Sequence, residues 1–229
     1  MPSRDAVLFD LDSTLCVSEQ TDHGIHAAVF DRVDVEPFFS PADVRGVDST
    51  EMPAAASEVE FYEALYRAVA ADVGGDPSHA SELAEATVEV VDETAVRFRE
   101  GAKAALDYAC ERYDVGLVTN GGERLQRRKL ERLGIADAFD ATVFCDPGAG
   151  IRPKPHPAPF RAALSALDVS TDRCVYVGDS LDHDVTGANH VGLDSVWVPL
   201  DRPHEDLPDD PDPAPTHRLD SLTELPAVL

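Results

Sequence analysis

Ala6-Val7-Leu8-Phe9-Asp10-Leu11-Asp12-Ser13-Thr14-Leu15 is the stretch on which the fold turns. Four apolar residues in a row read as a strand buried on both faces, the habit of parallel sheets covered by helices. Two aspartates follow at its carboxyl end. In extended chain, residues two apart project to the same side, so both carboxylates can reach one ligand. Similar apolar runs recur at 115–118, 142–144, 174–177 and 196–198, and apolar residues repeat at three- and four-residue steps over 102–113, 124–133 and 157–167. Strand, helix, strand in repetition predicts an α/β fold, a Rossmann-like parallel sheet sandwiched by helices.

Sheets of this kind bind ligands just beyond the carboxyl ends of their strands. The second strand is followed by Thr119-Asn120-Gly121-Gly122 and the fourth by Gly178-Asp179-Ser180, with Asp182 and Asp184 beyond. One aspartate after a strand is commonly a cap or turn residue; several brought to neighbouring strand ends are harder to explain that way. Two like charges ~4 Å apart repel by about 4 kcal/mol at an effective dielectric near 20, so Asp10, Asp12, Asp179 and Asp184 require a bound cation or a retained proton. All-oxygen ligands favour a hard ion, and Mg²⁺ characteristically takes one or two carboxylates plus a phosphate oxygen. Thr119 offers a hydroxyl, and the Asn120-Gly121-Gly122 turn offers backbone N–H groups, to an anionic oxygen. Lys154, within Arg152-Pro153-Lys154-Pro155-His156-Pro157, is held by flanking prolines.

Between Leu15 and Glu100 the pattern changes to helices, at 59–71 and 81–99 among others, without an obvious strand. Glu36-Pro37, Ser40-Pro41 and Gly74-Gly75-Asp76-Pro77 are turn signals rather than linkers, which predicts a compact insertion. The expected division is a core of residues 1–16 and 100–229 with an inserted helical cap domain at 17–99. The Pro- and Asp-rich segment 201–215 reads as an exposed loop, 216–219 as an edge strand and 221–225 as a short final helix.

Composition narrows the function. The chain has 229 residues, an apolar fraction of 43% and a formal net charge of −25. That charge argues against nucleic-acid binding, because no basic stripe could neutralise a phosphate backbone. No apolar run of about eighteen residues could cross a bilayer and the N-terminus carries no secretory signal, so a soluble cytoplasmic protein is expected, with no membrane partner. The four cysteines form no CxxC pair, which predicts reduced, mostly buried thiols. Lysine occurs only at 103, 129 and 154, arginine supplying the other positive charges. Such a surface fits a salt-adapted, halophilic cytosol, where at ~1 M salt the Debye length falls to about 3 Å. Nothing in the sequence signals an oligomeric state.

These motifs resemble, in order and spacing, those of the haloacid dehalogenase-like (HAD) hydrolases, most of which are phosphatases. The first motif of that family resembles Asp10-Leu11-Asp12-Ser13-Thr14-Leu15, the second Leu117-Val118-Thr119-Asn120-Gly121, the third Lys154-Pro155 and the fourth Val177-Gly178-Asp179-Ser180 with Asp184. The ending Leu219-Asp220-Ser221-Leu222-Thr223-Glu224-Leu225 is similar to the terminal strand and helix of many members. The resemblance implies a Mg²⁺-dependent phosphomonoesterase acting on a small phosphorylated metabolite. It makes Asp10 the nucleophile, Asp12 the general acid and then base, and Thr119, Asn120 and Lys154 the phosphate-binding residues. Asp10, the Asp12 carbonyl and Asp179 would hold the metal, with Asp184 supporting it. Ser13 stands where many members have glycine, a departure expected to affect loop geometry. On this mechanism the site must raise the pKa of Asp12 from near 3.9 for it to protonate a leaving alcohol.

Three rivals stand beside this reading. A 2-haloacid dehalogenase uses the same nucleophile but needs no acid for a halide, and the family's dehalogenases lack the second aspartate. A phosphomutase would pass the phosphoryl group to an alcohol. A non-catalytic receiver-like phosphate-binding module would not need so long an insertion.

Other candidates read as structural. Arg124, Arg128 and Arg132, with Arg127 and Lys129, form a basic face that Glu123 and Glu131 flank, so it is expected to be solvated and partly paired. Arg45, Arg67, Arg97 and Arg99 are expected to serve surface or helix-pairing roles. His23, His26, His156 and His183 lack zinc-ligand spacing, and Trp197 is expected in the core.

Overall fold

The computed structural model describes residues 4–47, 52, 55–145, 150–200 and 207–229. Six strands form one parallel sheet: β1 (Ala6–Phe9), β4 (Asp114–Thr119), β5 (Ala141–Phe144), β6 (Cys174–Gly178), β7 (Asp194–Trp197) and β8 (His217–Arg218), in the order β5-β4-β1-β6-β7-β8. β1 is central, with Phe9 in register with Leu117 on one side and Val177 on the other. This register brings the ends of β1, β4 and β6 side by side, and the Asp10 N–H donates to the Val177 carbonyl at 3.0 Å.

Alternation along the strands splits the core in two. Val7, Phe9, Val115, Leu117, Val175 and Val177 face α5 (Ala102–Cys110), α6 (Glu123–Leu133) and the C-terminal 3₁₀ helix Leu222–Ala227. Ala6, Leu8, Val118, Cys174 and Tyr176 face α7 (Pro157–Leu167) and α8 (Thr186–Val191). Residues 201–206 of the expected loop lie outside the described residues; 207–216 contain no helix or strand, and β8 pairs with β7 as an edge strand.

The chain divides into two compact units, Met1–Val17 with Val96–Leu229, and Ser18–Ala95. The second contains α1 (Asp22–Val33), α2 (Pro41–Gly46), α3 (Glu58–Val73) and α4 (Ala80–Val90), with Phe30, Phe39, Leu65, Val69 and Leu83 in its own core. The turn signals act as caps: Ser40 forms a capping box with Asp43 ahead of Pro41, and Gly74 ends α3 at φ 70°. The helix expected over 81–99 is shorter. It stops at Val90, because Asp92 Oδ1 accepts both the Thr94 N–H and the Thr94 hydroxyl, closing a turn. The chain then enters β3 (Val96–Phe98), which pairs with β2 (Cys16–Ser18), so the region read as strandless holds two three-residue strands. Among the described residues, no helix is long and apolar enough to cross a membrane.

Candidate active site

Asp10 emerges from β1 almost wholly buried, at 6% exposure. Its Oδ1 accepts a 2.6 Å hydrogen bond from the Lys154 ammonium, and its Oδ2 a 3.3 Å bond from the Thr14 hydroxyl, which also reaches Asp179 Oδ1 at 3.2 Å. Lys154 arrives from the loop ahead of α7. Asn120 clamps that loop with both ends of its amide, donating to the Lys154 carbonyl at 2.9 Å and accepting from the Lys154 N–H at 2.7 Å. The ammonium donates further to Asp184 Oδ1 at 2.7 Å and to the Tyr176 hydroxyl at 2.9 Å, and that hydroxyl in turn donates to Asp184.

Asp184 lies in a single π-helical turn, Leu181–Val185, and its Oδ2 accepts the Ser180 N–H at 3.0 Å. Gly178 ends β6 because nothing larger fits: a Cβ there would stand 2.4 Å from Asp184 Cγ. Trp197, buried as expected, also donates its indole N–H to the Asp179 carbonyl at 2.7 Å.

Carboxylate oxygens of Asp10, Asp179 and Asp184 lie within 4.8 Å of one another. With Lys154 among them, full ionisation leaves an excess of two negative charges, which one divalent cation cancels. The donor set therefore fits a hard divalent ion. Burial, with Asp184 and Asp179 nearby, pushes the Asp10 carboxyl up to about 8 against the pull of Lys154. Burial would lower the Lys154 ammonium, but Asp10 and Asp184 outweigh it and hold the group charged.

Asp12 is built differently. Its Oδ1 accepts from Lys129 Nζ at 2.7 Å and its Oδ2 from Gln126 Nε2 at 2.7 Å, while Gln126 Nε2 also reaches Thr119 Oγ1 at 3.0 Å. Half-exposed, Asp12 borders a cleft of roughly 750 Å³ together with Asp10, Thr119, Asn120, Lys154 and Asp179.

The sequence model for haloacid dehalogenase-like hydrolases matches residues 4–192, the span that carries all of these groups but Trp197. The chain belongs to that family. Among curated relatives, a phosphoserine phosphatase of Thermus thermophilus is 36% identical over 72% of this chain and 64% of its own. A ribulose-1,5-bisphosphate 5-phosphatase of Halopiger xanaduensis is 33% identical over 96% of this chain and 97% of its own. A glyceraldehyde 3-phosphate phosphatase of Pyrococcus abyssi is 39% identical over 37% and 35%. The chain thus spans about a third to two thirds of the first and third of these relatives. The magnesium-bound structure of YfnB from Bacillus subtilis superposes with a TM-score of 0.72 over 99% of both chains at 20% identity, a likeness of fold.

In this HAD-like hydrolase the residues read from the sequence, Asp10, Thr119, Asn120, Lys154, Asp179 and Asp184, meet at one end of the sheet, with Asp12 at its rim. The Asn120 side chain is engaged by the Lys154 backbone. Ser13, in the family's glycine position, adopts φ 65°, the left-handed region that favours glycine. Arg99 is no surface arginine: it donates to the carbonyls of Ser13, Val198 and Pro199. Arg45 and Arg67 do pair at the surface, with Asp22 and Glu63. The solvated basic face of α6 holds for Arg127, which pairs with Glu123, but not for Lys129, which is 8% exposed and turned onto Asp12. Thr14, Tyr176, Gln126, Lys129 and Trp197 are site residues that composition and spacing do not single out; the scarcity of lysine was the one signal that could have raised Lys129.

Proposed function

We propose that this hydrolase is a Mg²⁺-dependent phosphatase of a small phosphorylated metabolite, acting through an aspartyl phosphate on Asp10. The observation that carries the reading is the difference between its two aspartates. Asp10 is buried beside Lys154 in a carboxylate cluster that fits a divalent cation, which would hold it ionised as a nucleophile must be, while Asp12 stands at the cleft with donors of its own. The three relatives above, phosphatases of three different small phosphate esters, support the reaction class without choosing the substrate. A dehalogenase would leave Asp12 and its two donors without a task.

Asp10 and Asp179, with the Asp12 carbonyl, would hold Mg²⁺, and Asp184 would brace the site through Lys154 and Ser180. When bound, the ion supplies positive charge that keeps Asp10 ionised and offsets repulsion between carboxylate and phosphate. An Asp10 oxygen bonds to phosphorus as the ester P–O bond breaks, and Asp12 gives its proton to the departing alkoxide. Water then attacks the phosphoaspartate, its proton passes to Asp12, and the bond from phosphorus to Asp10 breaks to free inorganic phosphate. Lys154 and the Thr119 hydroxyl, with main-chain N–H groups after β4, would stabilise charge on the phosphoryl oxygens. The helical unit at Ser18–Ala95 would be the family's cap, in which substrate preference is expected to reside.

The test is phosphate release from a panel of phosphomonoesters at high salt, with and without Mg²⁺. Turnover is expected to need Mg²⁺ and to vanish in Asp10→Asn. Asp12→Asn should lose about 10²-fold or more on alkyl phosphates. A folded wild type that frees halide from 2-haloacids and no phosphate from any ester overturns the proposal.

A further inference from the structure

The arrangement around Asp12 asks for a purpose. Gln126 and Lys129 sit one turn apart on α6, and both reach back across the sheet end to the same carboxylate, one oxygen each, at 2.7 Å. Neither is an incidental surface contact, since Gln126 is 1% and Lys129 8% exposed. In a chain that carries three lysines, one reaches Asp12 from α6.

Gln126 is committed more strongly still. Its Nε2 serves two acceptors, Asp12 Oδ2 and Thr119 Oγ1, and its Oε1 is left buried without a hydrogen-bond partner. A buried acceptor is normally satisfied, and exceptions concentrate where function overrides local stability. The opposite amide orientation would set an oxygen against a carboxylate. Because Thr119 Oγ1 accepts from Gln126, its own hydroxyl proton remains to be donated elsewhere. Gly121 completes the device: a Cβ there would lie 2.1 Å from Gln126 Nε2, so the loop is kept bare where the amide crosses it.

Building on the phosphatase reading, we propose that Gln126 and Lys129 are positioning residues. Together they fix the Asp12 carboxylate for proton transfer. Both act through Asp12, which meets the leaving group.

Leaving-group dependence separates this from a structural role. An alkyl phosphate needs a proton on its departing oxygen, whereas 2,4-dinitrophenolate leaves without one. In Lys129→Met and Gln126→Met, kcat on glycerol phosphate is expected to fall about 10²-fold with KM little changed. First-turnover release of dinitrophenolate from 2,4-dinitrophenyl phosphate should stay within about 3-fold of wild type, followed by slow phosphate release as a burst. Lys129→Arg should recover most of the alkyl-phosphate rate. If Lys129→Met does not fold, Gln126→Met reads the same ratio. Equal losses on both esters, or no loss on either, overturns the inference and leaves the phosphatase reading standing. A folded wild type inactive on both esters, and on the wider panel, removes the phosphatase reading and this inference with it.

Discussion

Asp10 carries a cost that a cation relieves, and the cost is measurable. An unfolded aspartate titrates near 3.9, whereas burial holds folded Asp10 up to about 8 when no cation is present. Below the lower value both states are protonated and the group is neutral to stability. Between the two, the unfolded chain releases its proton and the folded one does not, so stability falls as pH rises and the loss is complete above the folded value. Metal-stripped protein is therefore expected to lose thermal stability from about pH 5 to about pH 8.5 more steeply than Asp10→Asn does, and Mg²⁺ should flatten the wild-type slope. Parallel slopes in chelator would show that Asp10 is not the group responsible.

Helix α6 shows how much of the site was legible and how much was not. Strand ends announce themselves, because an apolar run followed by Asp10, Thr119 or Asp179 needs only the topology of parallel sheets to become a cluster. Which way a helix turns its charged residues is decided by packing on the sheet. Glu123 and Arg127 pair in solvent, while Lys129, two residues on, is turned inward by Leu130 docking in the core. Tyr176 was hidden for a related reason: within an apolar strand its ring reads as core, and only the fold brings Lys154 and Asp184 to its hydroxyl. β2 and β3, three residues each, are too short to show a period. At this level the loop before α6 gives a sharp expectation. Gly121→Ala should displace Gln126, destabilise the protein by about 1–3 kcal/mol in denaturant unfolding and lower alkyl-phosphate turnover as Gln126→Met does. Wild-type activity in Gly121→Ala would mean that the amide has room to move without consequence.

For the molecule as a whole, the net charge of −25 dominates. Most described ion pairs, such as Arg127–Glu123 and Lys103–Asp107, are exposed and contribute little each, so they do not offset a long-range repulsion that only screening removes. The thermal unfolding midpoint is expected to rise steadily from about 0.1 M to about 2 M KCl, whereas a flat profile would mean that the carboxylates are too dispersed to repel.

The distribution of lysine has one more consequence, for covalent labelling. Lys103 has a side chain that is 54% exposed, while those of Lys129 and Lys154 are 10% and 2% exposed. Apart from the amino terminus, an amine-acylating reagent thus meets one ready target on the folded chain. Acylation at Lys154 then reports how often the buried cluster opens, and its rate relative to Lys103 gives a clock for that opening that needs no substrate, no metal and no engineered probe.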